Sequence, residues 1–222
     1  MKTEIRTTDD GSPTLFVPEL DEHYHSTFGA LTESKHVFIE AGLKPALQKF
    51  DVIHLLEIGF GTGLNALLTM TNTKGRIVNY TAIEAFPVDD KIIKELNYTN
   101  EPSTKELFIQ MHKSSWNKKN ELSPGFFLTK VKSKLEELDL NKRSFNLVYF
   151  DAFGPDVQPK LWTDEIFRKI SGSMLSGGIL TTYSAKGEIR RKLQKAGFEV
   201  ERIPGPPGKR HMTRAEKKEG RG

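Results

Sequence analysis

The stretch V-I-H-L-L-E-I, Val52–Ile58, is a nearly continuous apolar run, and the next glycines follow at Gly59, Gly61 and Gly63. Such a run suits a strand buried on both faces, which requires a parallel sheet with helices above and below. Alternation of the same kind continues downstream. Strands are expected at Asn79–Ala85, Phe126–Val131, Phe145–Phe150, Gly178–Tyr183 and Phe198–Ile203. Helices are expected at Asn65–Met70, Val88–Leu96, Thr163–Met174 and Gly187–Lys195. Alternating strands and helices predict an open, mostly parallel α/β sheet.

Ahead of the first apolar run, residues 1–20 read as a hairpin or extended arm turning at Gly11-Ser12-Pro13. From Thr32 the spacing of Val37, Ile39, Leu43 and Leu47 is helical, with Pro45 interrupting it. Residues 1–50 are thus expected to be an N-terminal extension on the substrate side of a domain spanning 51–222. The polar, lysine-rich segment from Tyr98 to Gly125 yields no element.

Composition narrows the chemistry. The chain has no cysteine, which excludes disulfides, thiolate-held clusters and a cysteine nucleophile. None of its six histidines forms a recognisable ligand pair, so no metal is expected. No apolar run reaches the roughly 20 residues of a membrane span, and the polar N-terminus is no leader, so a cytoplasmic address is expected. The net charge of +4 is confined to the segment from Pro204 onward, which holds Lys209, Arg210, Arg214, Lys217, Lys218 and Arg221 against Glu216 and Glu219. A basic terminus suits phosphate contact and suits a solvated tail equally well.

In such a sheet ligands bind at the carboxyl ends of the strands. The dinucleotide fingerprint G-x-G-x-x-G fits Gly59 and Gly61 but would need glycine where Leu64 stands. The pattern present is E-x-G-x-G-x-G, with Glu57 before Gly59, Gly61 and Gly63, which resembles the first motif of class I methyltransferases that bind S-adenosyl-L-methionine. Glu84 ends the second strand of the sheet, where a carboxylate accepts both ribose hydroxyls. Asp151 leaves the strand N-L-V-Y-F-D and precedes Ala-Phe-Gly-Pro, so its carboxylate reaches the same edge.

These residues resemble a specific family, the methyltransferase domain of the bifunctional tRNA 5-methylaminomethyl-2-thiouridine biosynthesis protein (MnmC-like, with the stand-alone form MnmD). The likeness covers nearly the whole chain, through Y-H-S-T-F-G-A-L-T-E-S-K-H-V-F, L-L-E-I-G-F-G-T-G-L-N, Y-T-A-I-E-A-F-P, Y-F-D-A-F-G-P-D-V-Q-P-K-L-W-T and P-G-P-P-G-K-R-H-M-T-R-A. It implies a Rossmann-like class I fold, S-adenosyl-L-methionine as cofactor, and methylation of 5-aminomethyl-(2-thio)uridine in a tRNA anticodon loop. A chain without a flavin-dependent oxidase domain would need the aminomethyl form supplied.

On that resemblance Glu57, Gly59, Gly61, Gly63, Glu84 and Asp151 hold the cofactor, and Asp151 is the catalytic group. Free alkylamines titrate near pH 10.4, so deprotonation at pH 7 costs about 4–5 kcal/mol. A carboxylate favours the ammonium, so Asp151 is expected to position the amine and accept its proton rather than lower its pKa. Phe153 and Trp162 are expected as apolar walls, Tyr24 as a stacking residue, and Lys209 and Arg210 as phosphate contacts, with Arg214 behind them. Phe28 fits a stacking role or, more readily, the core. The helix with Lys186, Arg190, Arg191 and Lys195 extends the basic surface or is simply an exposed face. Relatives carry a Gly-Asp pair whose carboxylate accepts from adenine; Ser133 and Lys134 stand there, with Glu136 as the nearest replacement acid. The competing readings are a nicotinamide oxidoreductase, a methyltransferase of another amine, and a non-catalytic RNA-binding relative.

Overall fold

The computed structural model describes residues 2–219. It opens with a small antiparallel sheet of β1 (Glu4–Thr7), β2 (Pro13–Val17) and β3 (Glu22–His23). The Thr8–Ser12 turn joining β1 to β2 is tied to the following helix, because Asp10 accepts from the backbone N–H of Thr32 at 2.9 Å. That helical run comprises α1 (Ala30–Ser34), a π-helical stretch (Lys35–Leu43) and α2 (Lys44–Lys49). Pro45, which lacks an N–H, falls at the start of α2, where the π-turn gives way to an α-turn. Gly42 lets this run lie close on the sheet, since a Cβ there would stand 3.1 Å from the Thr181 hydroxyl.

The elements that follow are β4 (Val52–Ile58), α3 (Leu64–Asn72), β5 (Ile77–Glu84), α4 (Asp90–Glu95), α5 (Pro102–Lys113), β6 (Lys119–Ser123) and β7 (Phe126–Lys132). Then come β8 (Phe145–Phe150), α6 (Asp164–Ser173), β9 (Met174–Thr182), α7 (Gly187–Lys195), β10 (Phe198–Pro204) and β11 (His211–Lys217). Eight strands form one sheet in the order β10-β11-β9-β8-β4-β5-β7-β6. The inner strands β9, β8, β4, β5 and β7 are parallel, and β6 and β11 run antiparallel to their neighbours.

The continuous apolar runs are explained by burial on both faces. Leu55, Leu147 and Tyr149 belong to the core beneath the helical run 30–49, α3, α4 and α5. Their chain neighbours Leu56, Val148 and Phe150 point into the opposite core beneath α6 and α7. The sheet is therefore covered on both sides, as the sequence predicts.

Three elements depart from expectation. The Tyr98–Gly125 segment contains α5 and β6, hidden from a pattern reading because α5 buries only Phe108 and Met111. The terminal basic segment is no solvated tail, since 211–217 form β11, paired between β9 and β10. Within β11, Met212, Thr213 and Ala215 are buried. Among the described residues no helix is long and apolar enough to cross a membrane.

Candidate active site

Strand order reverses between β4 and β8, and the loops leaving these strands part there. A cavity of about 610 Å³ opens at that edge. Its floor is the Gly59–Gly63 loop, whose three glycines have φ of 90°, 52° and 74°. These are left-handed values that side-chain-bearing residues resist. A Cβ on Gly59 would lie 2.7 Å from the Asp151 carbonyl oxygen, and one on Gly61 would lie 3.1 Å from the Tyr24 ring. These two glycines shape the cavity. Gly63 serves packing instead, because a Cβ there would meet Met111 at 2.7 Å and His112 at 2.9 Å.

Glu84 closes β5 and lines the cavity. Its Oε2 accepts from the Gly61 N–H at 3.0 Å and its Oε1 from the Phe86 N–H at 2.8 Å. Two backbone donors thus fix the carboxylate and leave lone pairs for a vicinal diol. Ser133, Lys134, Leu135 and Glu136 line the same half. Lys134 turns toward Glu137, 3.3 Å away, and Lys134 and Glu136 both line the cavity. A glycine-floored cradle with a fixed diol acceptor fits the nucleoside of S-adenosyl-L-methionine.

One amide joins a carboxylate that lines the cavity, Asp151, to a fully buried one beneath it, Glu57. Asn65 Nδ2, in the first turn of α3, donates to Asp151 Oδ2 at 2.8 Å and to Glu57 Oε1 at 3.0 Å. Burial, then the Glu33 charge, pushes the Asp151 carboxyl well above the ordinary range, against the pull of Asn65 and Lys209. Burial and the Asp151 charge do the same to Glu57. Glu57 Oε2 has no partner among the described residues. Glu57, expected to hold the cofactor, is fully buried and does not line the cavity, whereas Asn65, to which it is bonded, does. Two carboxylates under one cavity make a floor that favours a cationic ligand.

The acceptor half lies over Asp151. Tyr24 meets Phe153 edge-to-face with ring centroids 5.1 Å apart. Lys209 Nζ lies 2.6 Å from Glu33 Oε1 and 4.2 Å from the Tyr183 ring centroid. Glu33 Oε2 also accepts from the Ser26 N–H at 2.7 Å. The Tyr183 hydroxyl donates to the Ala152 carbonyl at 2.8 Å, bracing the loop after Asp151. Lys209 is therefore turned into the cavity rather than onto an outer phosphate-binding face.

Other expected residues fall elsewhere. Trp162 is 1% exposed and does not line the cavity. Its indole N–H donates to the Phe153 carbonyl at 2.7 Å, so it holds the wall from behind. Phe28, read more readily as core, is 52% exposed. Arg210 is exposed and outside the cavity, and Arg214 pairs with Glu201 at 2.7 Å. Arg221 lies outside the described residues. The described residues contain no cluster of three or more metal-ligating side chains. Glu33, Asn65 and Tyr183 were missed, for no local spacing joins residues that meet only across the cleft. Asn65 and Glu33 had a signal, as the N of G-T-G-L-N and the E of A-L-T-E-S.

The chain is similar to known proteins in sequence and in fold. A profile of an S-adenosyl-L-methionine-dependent methyltransferase family matches residues 95–218. The tRNA 5-methylaminomethyl-2-thiouridine biosynthesis bifunctional protein MnmC of Cupriavidus metallidurans is 30% identical over 93% of this chain and 32% of its own length. The protein of the same name from Paracidovorax citrulli is 29% identical over 97% of this chain and 35% of its own. The chain thus spans about a third of these relatives. The crystal structure of MNMC2 from Aquifex aeolicus superposes with a TM-score of 0.80 at 25% identity, covering 97% of this chain and 70% of that one. The CurJ carbon methyltransferase shares the fold at a TM-score of 0.55 and 13% identity, over 88% of this chain and 57% of that one. The family profile spans more than half of the sequence and includes β8 and Asp151 on one side of the β4–β8 switch point. The chain belongs to the S-adenosyl-L-methionine-dependent methyltransferases.

Proposed function

We propose that this enzyme N-methylates the aminomethyl group of 5-aminomethyl-(2-thio)uridine at the wobble position of tRNA, giving 5-methylaminomethyl-(2-thio)uridine. The observation that carries the reading is Asp151, a half-buried carboxylate at the exit of β8 that lines the same cavity as the Tyr24–Phe153 aromatic pair. The names of the MnmC relatives support the same substrate class. A cytoplasmic address and an anticodon-loop partner belong to this reading, as does the role of residues 1–50 as the substrate-side extension.

Bound S-adenosyl-L-methionine supplies a methyl group on a sulfonium, with Glu84 as the ribose acceptor and the Gly59–Gly61 backbone beneath it. The protein must present a neutral amine in line with that methyl. Asp151 accepts a hydrogen bond from the amine N–H and so directs the lone pair away from itself. Asn65 holds Oδ2, leaving Oδ1 to meet the substrate. Tyr24 and Phe153 enclose the reacting carbon–nitrogen arm and keep water out. Once the amine has become a secondary ammonium, Asp151 is the adjacent proton acceptor. Positioning of this kind supplies most of the rate.

The test is methyl transfer to tRNA isolated from cells arrested at the aminomethyl stage, followed by nucleoside digestion. Label in methylaminomethyl-uridine, lost with Asp151→Ala, supports the assignment. Cofactor binding without label in tRNA would transfer the reading to another amine acceptor.

A further inference from the structure

Four basic side chains outside the cavity converge at the carboxyl edge of the sheet. Pro204 pairs with His211 and Arg202 with Thr213 in the β10–β11 ladder. Alternate pairs of a ladder share a face, so Arg202 and His211 point the same way. That face is the one packed under α7, whose Ile189 and Leu193 cover Phe198 and Ala215. Arg190 follows Ile189 at the start of α7, and Arg210 immediately precedes His211.

Desolvation, and after it the positive charges of Arg202, Arg210 and Arg190, hold the half-buried His211 imidazole below its usual pKa, so the three arginines lie near enough to share one surface. No carboxylate among the described residues lies within 4 Å of Arg190, Arg202 or Arg210. Arg190 Nε is buried without a partner. Elsewhere on the same strands the cations are paired, as Arg214 is with Glu201. Unneutralised guanidinium groups gathered on one face are a liability unless an anion visits them.

An aromatic residue adjoins this cluster. Phe28 is 52% exposed and lies flat on Gly208, where a Cβ would fall 2.1 Å from the ring. Gly208 precedes Lys209, which lines the cavity, and Arg210, which belongs to the cluster. The β10–β11 turn thus carries in succession the glycine under the exposed ring, a cavity residue and a member of the arginine cluster. A ring held by glycine and flanked by cations is the arrangement that receives a single-stranded polynucleotide, through base stacking and phosphate contact.

We propose that Phe28 and the Arg190–Arg202–Arg210 cluster form a binding site for the ribonucleotide chain adjoining the methylated nucleotide. Phe28 stacks on a neighbouring base and the arginines hold the phosphodiester beyond it. This rests on the RNA reading of the active site, and it adds the direction in which the strand leaves the cavity, over β9 and β11 rather than over β5 and β7.

The experiment compares wild type, Phe28→Ala and Arg202→Ala/Arg210→Ala, all of which alter exposed side chains. Binding of a fluorescent anticodon stem-loop is measured across a salt series, beside methylation of the stem-loop and of free 5-aminomethyluridine. Each variant is expected to weaken stem-loop binding by about tenfold, with cofactor binding and free-nucleoside turnover unchanged. The double arginine variant should lower the salt slope by about 1.4, the value for two phosphates on a single strand. Stem-loop affinity and salt slope equal to wild type in both variants, with methylation intact, would overturn the site and leave the activity standing. Binding lost in the variants while wild type methylates no RNA would keep the site and remove the proposed substrate. If wild type neither binds nor methylates the stem-loop, both fall.

Discussion

Replacing Asp151 by asparagine separates the demands of folding from those of catalysis. The carboxyl is buried beside the Glu33 charge and receives one hydrogen bond, from Asn65 at 2.8 Å. Asparagine keeps the shape, and its amide oxygen still accepts from Asn65, while the ionisable group is gone. A carboxyl raised above its ordinary value contributes stability that is fully present below about pH 4 and is lost as pH rises toward the folded-state pKa. Asp151→Asn is therefore expected to melt higher than wild type at neutral pH and equally at about pH 4. Relieving such active-site strain typically gives about 0.5–2 kcal/mol. For a chain of this size that is about 1–8 °C in Tm. Methyl transfer should meanwhile fall by about 10²–10⁴-fold, the range for removing a positioned proton acceptor. Thermal melts from pH 4 to 8, with a single-turnover assay at each pH, read both quantities. A variant that melts lower at neutral pH, or whose gain does not depend on pH, refutes the electrostatic argument. Retained activity refutes the role of Asp151.

Glu84→Gln loses one charged acceptor and should raise the cofactor Kd by about 10–100-fold, read by calorimetry, with little change in Tm. Lys209→Met strands Glu33, whose side chain is 9% exposed. Because Lys209 is one-third exposed, solvent moderates the loss to about 1–2 kcal/mol in a urea melt. Adding Glu33→Gln should recover most of it, and additive losses in the double-mutant cycle would contradict the pairing. Trp162→Phe removes the donor to the Phe153 carbonyl and should cost about 2–4 kcal/mol. It should also raise KM for the acceptor while leaving the cofactor Kd near wild type; a change confined to cofactor affinity would argue against Trp162 as support for the acceptor wall.

Much of the sheet was legible because its information is local. β4, β5, β7 and β8 announce themselves as apolar runs, and the glycine loop and Glu84 follow each strand at fixed distance. The helix α5 was invisible because a surface helix with two buried residues has almost no periodic signal. β11 was missed for a related reason: its arginine and lysine, Arg214 and Lys217, suit phosphate contact or a solvated tail equally until their partners are known. Arg214 meets Glu201 on β10, and Lys217 reaches Ser171 on α6. The acceptor half shows the same limit. Asp151 could be placed from its own strand, but Glu33 and Lys209 are 176 positions apart and are brought together only by folding. Trp162 was expected in the wall because large aromatics serve there, yet its N–H found a carbonyl behind the wall.

The order of β9, β11 and β10 in the sheet also sets a timetable for the chain as it is made. β10 leaves the ribosome before β11, the strand it pairs with in the sheet, so it has no partner until β11 emerges. Until residue 217 has cleared the exit tunnel, β10 must wait with both edges unpaired, carrying Phe198 and Val200 toward solvent. Its alternating Glu199 and Glu201 are the kind of charges that discourage a waiting strand from pairing with another chain. The same residue, Glu201, then becomes the partner of Arg214 once β11 arrives, so the guard of the nascent strand is retired into the finished sheet.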